Sequence, residues 1–165
     1  MKEKTVINIL FCGTGGQGVL TAAEIVSLAS MYDGYHTKKS EVHGMAQRGG
    51  SVESHVRFAC KVCNTVASPL IEEGAANFLV PFYKSERDRL LSFLAPDGVD
   101  MLKDLEEANN LPNKKFINTF MLGRLSKHLN ITQASWLKAL EVGFKGKLIE
   151  ENRKVFLEAA NRIEA

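Results

Sequence analysis

The spacing of apolar residues divides the 165-residue chain into a strand–helix opening, a polar middle and a helical end. Val6 to Cys12 is almost continuously apolar and rich in β-branched residues, the pattern of a parallel strand buried on both faces. The glycine cluster Gly13-Thr14-Gly15-Gly16-Gln17-Gly18 follows, and beyond it Val19, Ala22, Ala23, Val26 and Ala29 recur at helical spacing. Gly34 is placed to end that helix, and Tyr35 to Lys39 reads as a second, more polar strand. Strand, glycine turn, helix and strand open a Rossmann-like unit.

Ser40 to Gly50 is polar, contains Gly44, Gly49 and Gly50, and is predicted to be a long loop. Ser51 to Phe58 alternates, with Val52, Val56 and Phe58 on one face and Glu53, His55 and Arg57 on the other. Val62 to Val66 is expected to pair back on it as an antiparallel hairpin turning at Cys60-Lys61. Asn77 to Phe82 is a buried-type strand, Ser85 a helix N-cap and Pro96-Asp97-Gly98 a turn. Helices are predicted over Phe116 to Leu129, from a Thr132 cap through Val142, and over Leu148 to Ile163. The fold class is therefore α/β: a Rossmann-like mixed sheet opening with a β–glycine loop–α unit, with a β-hairpin insertion and a helical C-terminal third. No linker or repeat interrupts it, so residues 1–165 form a single domain.

Composition narrows the function. Hydrophobic residues make up 45% and charged residues 24%, the mix of a globular protein that needs no staple. The 21 basic and 19 acidic side chains leave a net charge of +2, which argues against a nucleic-acid partner. The first apolar run is too short for a bilayer, and three cysteines without a secretory pattern fit a reducing compartment. A soluble, cytoplasmic protein with no membrane partner is expected.

Gly13-x-Gly15-x-x-Gly18 matches the dinucleotide fingerprint between a strand and a helix, where glycines let the backbone approach a diphosphate held at the helix N-terminus. Gly13, Gly15, Gly16 and Gly18 are thus candidate phosphate-binding residues, and Glu41, 23 residues beyond Gly18, stands near where an acid would take a ribose hydroxyl. The same glycines serve equally for close strand–helix packing without a ligand. Gly13-x4-Gly18 has the P-loop glycine spacing, but Val19-Leu20 stand where Lys and Ser/Thr are needed, which argues against a nucleotide triphosphatase. Cys60-x-x-Cys63 has no second pair and no histidine close in sequence, so no metal site is assigned. The densest polar cluster runs from Ser40 to Ser51. Its Glu41, His43, Gln47 and Arg48, with Gly49, Gly50 and Ser51, form a candidate ligand-facing or inter-subunit loop, since Arg offers a bidentate fork to phosphate or carboxylate.

These motifs, Gly13 to Leu20 and Ser40 to Val52, together with Ser68-Pro69-Leu70-Ile71 and Asn118 to Gly123, resemble the gamma domain of the 2-oxoacid:ferredoxin oxidoreductases, and among these most nearly the small (beta) subunit of the indolepyruvate enzymes. The resemblance implies a subunit without cofactors of its own in a complex that oxidatively decarboxylates 2-oxoacids to acyl-coenzyme A, with coenzyme A as co-substrate. It implies a large partner subunit carrying thiamine diphosphate, Mg and iron–sulfur clusters, with ferredoxin as the acceptor and an isolated chain that is inactive. Arg48 would then orient a partner loop or steady an anion, with Glu41 and His43 completing the contact. The stretch after Gly98, through Lys114, looks shortened against the family, and Tyr83 stands where a Glu is expected. The alternative from another class is a free-standing nucleotide-binding Rossmann-like regulatory protein.

Overall fold

A computed structural model describes residues 6–44, 50–59 and 65–161. Among these residues five strands form one sheet in the order β2-β3-β1-β4-β5. They are β1 (Val6–Thr14), β2 (His36–His43), β3 (Ser51–Ala59), β4 (Ala76–Pro81) and β5 (Leu94–Asp100). β1 pairs in parallel with β4 and β4 with β5, while β3 runs antiparallel to both β1 and β2. β2, β1, β4 and β5 therefore share one direction, and β3 alone opposes them.

Alternation along β1 splits the core in two. Ile9 and Phe11 point into the main cluster beneath α1 (Val19–Tyr32), α4 (Ile117–Ser126), α5 (Gln133–Gly143) and α6 (Ile149–Asn161). Leu10 and Cys12 point the other way, into a small cluster with Ile71, Ala76, Leu79 and Leu90. That second face is covered by α2 (Lys84–Leu90) and an irregular stretch from Thr65 to Ala75, with α3 (Leu102–Ala108) following β5 on the first. In the main core Trp136 and Phe156 stack at 5.4 Å between ring centroids. Full burial of a side chain such as Phe11 or Phe156 contributes about 1.5–3 kcal/mol. Gly123 lets α4 and α6 touch: a Cβ there would lie 2.6 Å from the Phe156 carbonyl oxygen and 2.7 Å from Ala159 Cβ. Thr132 caps α5 as its spacing predicts, accepting from the Ser135 amide.

Five expectations give way. The hairpin turning at Cys60-Lys61 fails because both edges of β3 are already taken, one by β1 and the other by β2; Thr65 and Val66 are not strand, and residues 60–64 lie outside the described residues. The hairpin-like neighbour of β3 in the chain is instead β2, which extends through Ser40 to His43, so the loop begins only at Gly44. Pro96-Asp97-Gly98 is not a turn but the middle of β5, an edge strand where the missing proline N–H disrupts no ladder. Gly98 permits that pairing, since a Cβ there would come within 2.7 Å of the Ala76 carbonyl oxygen. Ser85 does not cap α2; Tyr83 holds the N-cap position, without a side-chain hydrogen bond. His55, expected on a polar face, is buried beneath the 65–75 stretch.

Candidate functional site

Because four strands run one way, Thr14, His43, Pro81 and Asp100 end along one edge, and Ser51 begins β3 there too. The glycine turn leaves this edge from β1. Its conformation is fixed from within: the Thr14 amide donates to Gln17 Oε1 at 2.8 Å, and the Gln17 amide donates to the Thr14 carbonyl at 3.2 Å. Gly13 is needed for packing, since a Cβ would meet Val19 Cγ2 at 2.7 Å and Gln17 Oε1 at 2.8 Å. Gly16 and Gly18 adopt φ of +88° and +82°, the left-handed region that costs other residues about 1–2 kcal/mol. Gly15 has no positive φ; its amide donates to the Gly50 carbonyl at 3.1 Å and ties the turn to the start of β3.

Gly18 is also the N-cap of α1, and among the described residues no side chain caps that helix and no acid sits in its first turn. The first-turn amides therefore face the edge with their partial positive charge uncompensated. Two grooves flank the turn. One, of about 330 Å³, is lined by Gly16, Gln17, Gly18, Phe82, Asn109, Lys114, Lys115, Ile117 and Asn118. The other, of about 420 Å³, is lined by Thr14 to Gly16, Gly18 to Thr21, His43 and Val52. In the first, the N-terminus of α4 and the lysine pair preceding it converge on the N-terminus of α1. Asn118 joins the two: its Oδ1 accepts from the Thr119 amide, and its Nδ2 stands 2.7 Å from where a Gly18 Cβ would be.

The polar loop divides. Glu41 and His43 lie on β2, at the end of a charged row in which Lys39 Nζ contacts Glu24 at 2.5 Å and Glu41 at 3.4 Å, and His43 Nε2 lies 3.8 Å from Glu41. Ser51 donates to the buried Glu86 at 2.8 Å, and Glu86 holds Arg89 at 2.7 Å, so Ser51 braces β3 against α2. Gly50 serves as the anchor for Gly15. Gln47, Arg48 and Gly49 lie outside the described residues, as do Cys60 and Cys63. The ribose role of Glu41 is not supported by the topology. In a Rossmann unit the second strand adjoins the first, whereas here β3 lies between β1 and β2, setting the end of β2 two strand spacings, about 10 Å, from the end of β1.

Lys114, Lys115, Asn118 and Gln17 escape a reading of the glycine motif alone. The signal available for them was a lysine doublet directly before a helical pattern. Cys12, at the end of β1, is buried and its thiol is pushed up to about 12, first by loss of water and then by nearby Glu86. Among the described residues no three His, Cys, Asp or Glu side chains gather as a metal set, and no helix is long and apolar enough to cross a membrane.

A family model for pyruvate ferredoxin/flavodoxin oxidoreductase matches residues 8–112, more than half of the chain. The chain belongs to that family. Within it, this is a small, gamma-type chain. It is 44% identical over 88 residues to an indolepyruvate oxidoreductase subunit IorB from Archaeoglobus fulgidus, covering 53% of this chain and 41% of that one. The chain thus spans less than half the length of such relatives. It is 27% identical over 174 residues to a pyruvate synthase subunit PorC from Methanothermobacter thermautotrophicus, covering 96% and 97% of the two chains. The fold is that of a keto/oxoacid ferredoxin oxidoreductase gamma subunit from Geobacter sulfurreducens, with a TM-score of 0.63 at 24% identity over 93% of this chain and 96% of that one. The family match runs through residues 99–112, part of the stretch expected to be shortened.

Proposed function

We propose that this gamma-type chain is an accessory subunit of a 2-oxoacid:ferredoxin oxidoreductase complex, of the indolepyruvate or pyruvate kind, and that its carboxyl edge helps to seat coenzyme A. The decarboxylation belongs to a large partner subunit with thiamine diphosphate, Mg and iron–sulfur clusters, which passes electrons to ferredoxin. This chain's residues bind and orient; none moves a proton or bonds to substrate.

One observation carries the reading: the uncapped N-terminus of α1, the left-handed Gly16 and Gly18, and Lys114 and Lys115 all border a single groove. Backbone amides, a helix dipole and two ammonium groups together favour a phosphate ester. The family match supports placing the chain in a complex where such an anion is a co-substrate. Glu41 and His43 lie at the end of β2 on this edge, and they and Arg48 are read as contacts to the partner subunit. The free-standing nucleotide-binding alternative is less well supported, because β3 separates Glu41 from the glycine turn.

The test is co-expression with a large, thiamine diphosphate-binding subunit of the same family, followed by 2-oxoacid oxidation assays. We expect a stable complex with coenzyme A-dependent ferredoxin reduction. Replacing Lys114 and Lys115 by Glu should raise KM for coenzyme A tenfold or more while leaving KM for the 2-oxoacid unchanged. Failure to co-purify overturns the subunit reading. An unchanged KM for coenzyme A overturns the groove assignment alone.

A further inference from the structure

The second face of the sheet carries a strap that is not part of any ladder. Residues Thr65 to Ile71 cross over β2 and β3 without regular structure, burying Val66 and Ile71 while Leu70 stays half exposed. Among the described residues four side chains hold it. The Val66 amide donates to His36 Nδ1 and the Ile71 amide to His55 Nδ1, both at 3.0 Å. Lys38 Nζ donates to the Ala67 carbonyl at 3.2 Å and Arg57 Nη1 to the Ser68 carbonyl at 2.6 Å. His36 and Lys38 alternate on β2 as His55 and Arg57 do on β3, and Lys38 pairs with Arg57 in register, so all four project from one face.

Two of these pins accept through an imidazole lone pair, which exists only while Nδ1 is unprotonated. For His55 this fixes the neutral tautomer with the proton on Nε2, which faces Glu53 Oε1 at 3.5 Å. A proton on Nδ1 of either ring sets one N–H against another and adds positive charge beside Lys38 and Arg57. The charged surroundings of His55 are Glu53 and Arg57 on its own strand, Lys38 on β2, and Glu86 and Arg89 of α2, which tie into Glu53. Cys12 on β1 is neutral, Phe93 meets the ring edge-on at 6.2 Å, and Glu72 follows Ile71 on the strap. Around His36 stand Lys38 and, diagonally, Arg57. Glu53 neutralises one added charge at most and leaves the Ile71 amide without an acceptor.

We propose that the strap is a proton-operated latch: protonation of His36 and His55 detaches residues 65–71 and uncovers the apolar cluster of Leu10, Leu79 and Leu90, while the sheet and the helical layer persist. Ile71 belongs to that cluster, so its departure opens the thinner side of the domain without breaking a strand pair.

Amide hydrogen exchange of the full chain, corrected for intrinsic pH dependence, reads this directly. Protection of Val66 and Ile71 should fall about tenfold or more between pH 8 and pH 5 relative to Ile9 and Leu79, since each loses its acceptor. Asn keeps an acceptor oxygen near the Nδ1 position but does not titrate, so the His36→Asn/His55→Asn chain should lose this pH dependence. Equal protection at both pH values, or an unaltered dependence in the double variant, overturns the latch. Nitrogen chemical shifts of the two rings in the wild-type chain give a reading that needs no variant. Acceptor-type Nδ1 at pH 8 is required in both, and a protonated Nδ1 there overturns the proposal.

Discussion

The side-chain amide of Asn118 occupies the space that a side chain on Gly18 would need, with Nδ2 2.7 Å from the position of the missing Cβ. The glycine turn and the start of α4, 100 residues apart in sequence, are thereby fitted to one another. Gly18 is excluded from substitution twice, by its φ of +82° and by this contact. Gly18→Ala should destabilise the chain by about 2–3 kcal/mol, the sum of backbone strain and displaced packing. Gly16→Ala, with open space around it, should lose only about 1–2 kcal/mol. Chemical denaturation of the two variants checks the order, and equal losses would contradict it.

Gly123 tests the seam between α4 and α6. Gly123→Val drives methyl groups into the Phe156 carbonyl and Ala159, and a loss of about 2–3 kcal/mol is expected. The helical layer would separate, so Trp136 fluorescence should shift toward that of an exposed indole under milder denaturant than in the wild type.

The Cys12 thiol, pushed up to about 12 by burial and then by Glu86, favours its neutral form in the fold. Its folded value lies above the unfolded one, so this contribution is complete below the ordinary thiol value and is lost as pH rises toward 12. Cys12→Ala should flatten the alkaline part of the stability curve above about pH 9. In the folded wild type at pH 8, alkylation of Cys12 should wait for unfolding, and rapid labelling in native buffer would refute the assignment.

Arg48 is the sharpest test of the partner edge. Arg48→Lys keeps the charge but loses the planar fork, so it should impair the reconstituted enzyme nearly as much as Arg48→Ala. Both variants should keep the melting temperature of the isolated chain. Full activity of both would remove Arg48 from the interface, and unfolding of both would make it a structural residue.

Local pattern carried far in this chain. The apolar run of β1, the glycine turn, the period of α1 and the Thr132 cap each depend on neighbours within a few residues, and each stands where its spacing puts it. What depended on distant pairing did not. Nothing in Ser51 to Phe58 says which strands will flank it, so the partner of β3 could not be read from its alternation. Pro96 and Gly98 carry turn chemistry, yet at an open sheet edge a missing N–H and a missing side chain are also what lets a strand lie close. The glycines of the site were legible because their chemistry is local. That Lys114, Lys115 and Asn118 meet those glycines was not, because only the packing of α4 on α1 brings them to the turn.

The lone antiparallel strand has a consequence for how such chains diversify. Since β3 starts where β2 stops, the segment between them leaves and re-enters at one place, closed by the Gly44 amide on the Ser51 carbonyl at 2.7 Å and by the Gly15 amide on the Gly50 carbonyl. Those two clasps make a socket. Whatever is threaded between Gly44 and Gly50 can be lengthened, shortened or exchanged at a cost of about 0.6 kcal/mol per doubling, with every strand register left as it was. A family built on this sheet can exchange the insert and keep the frame.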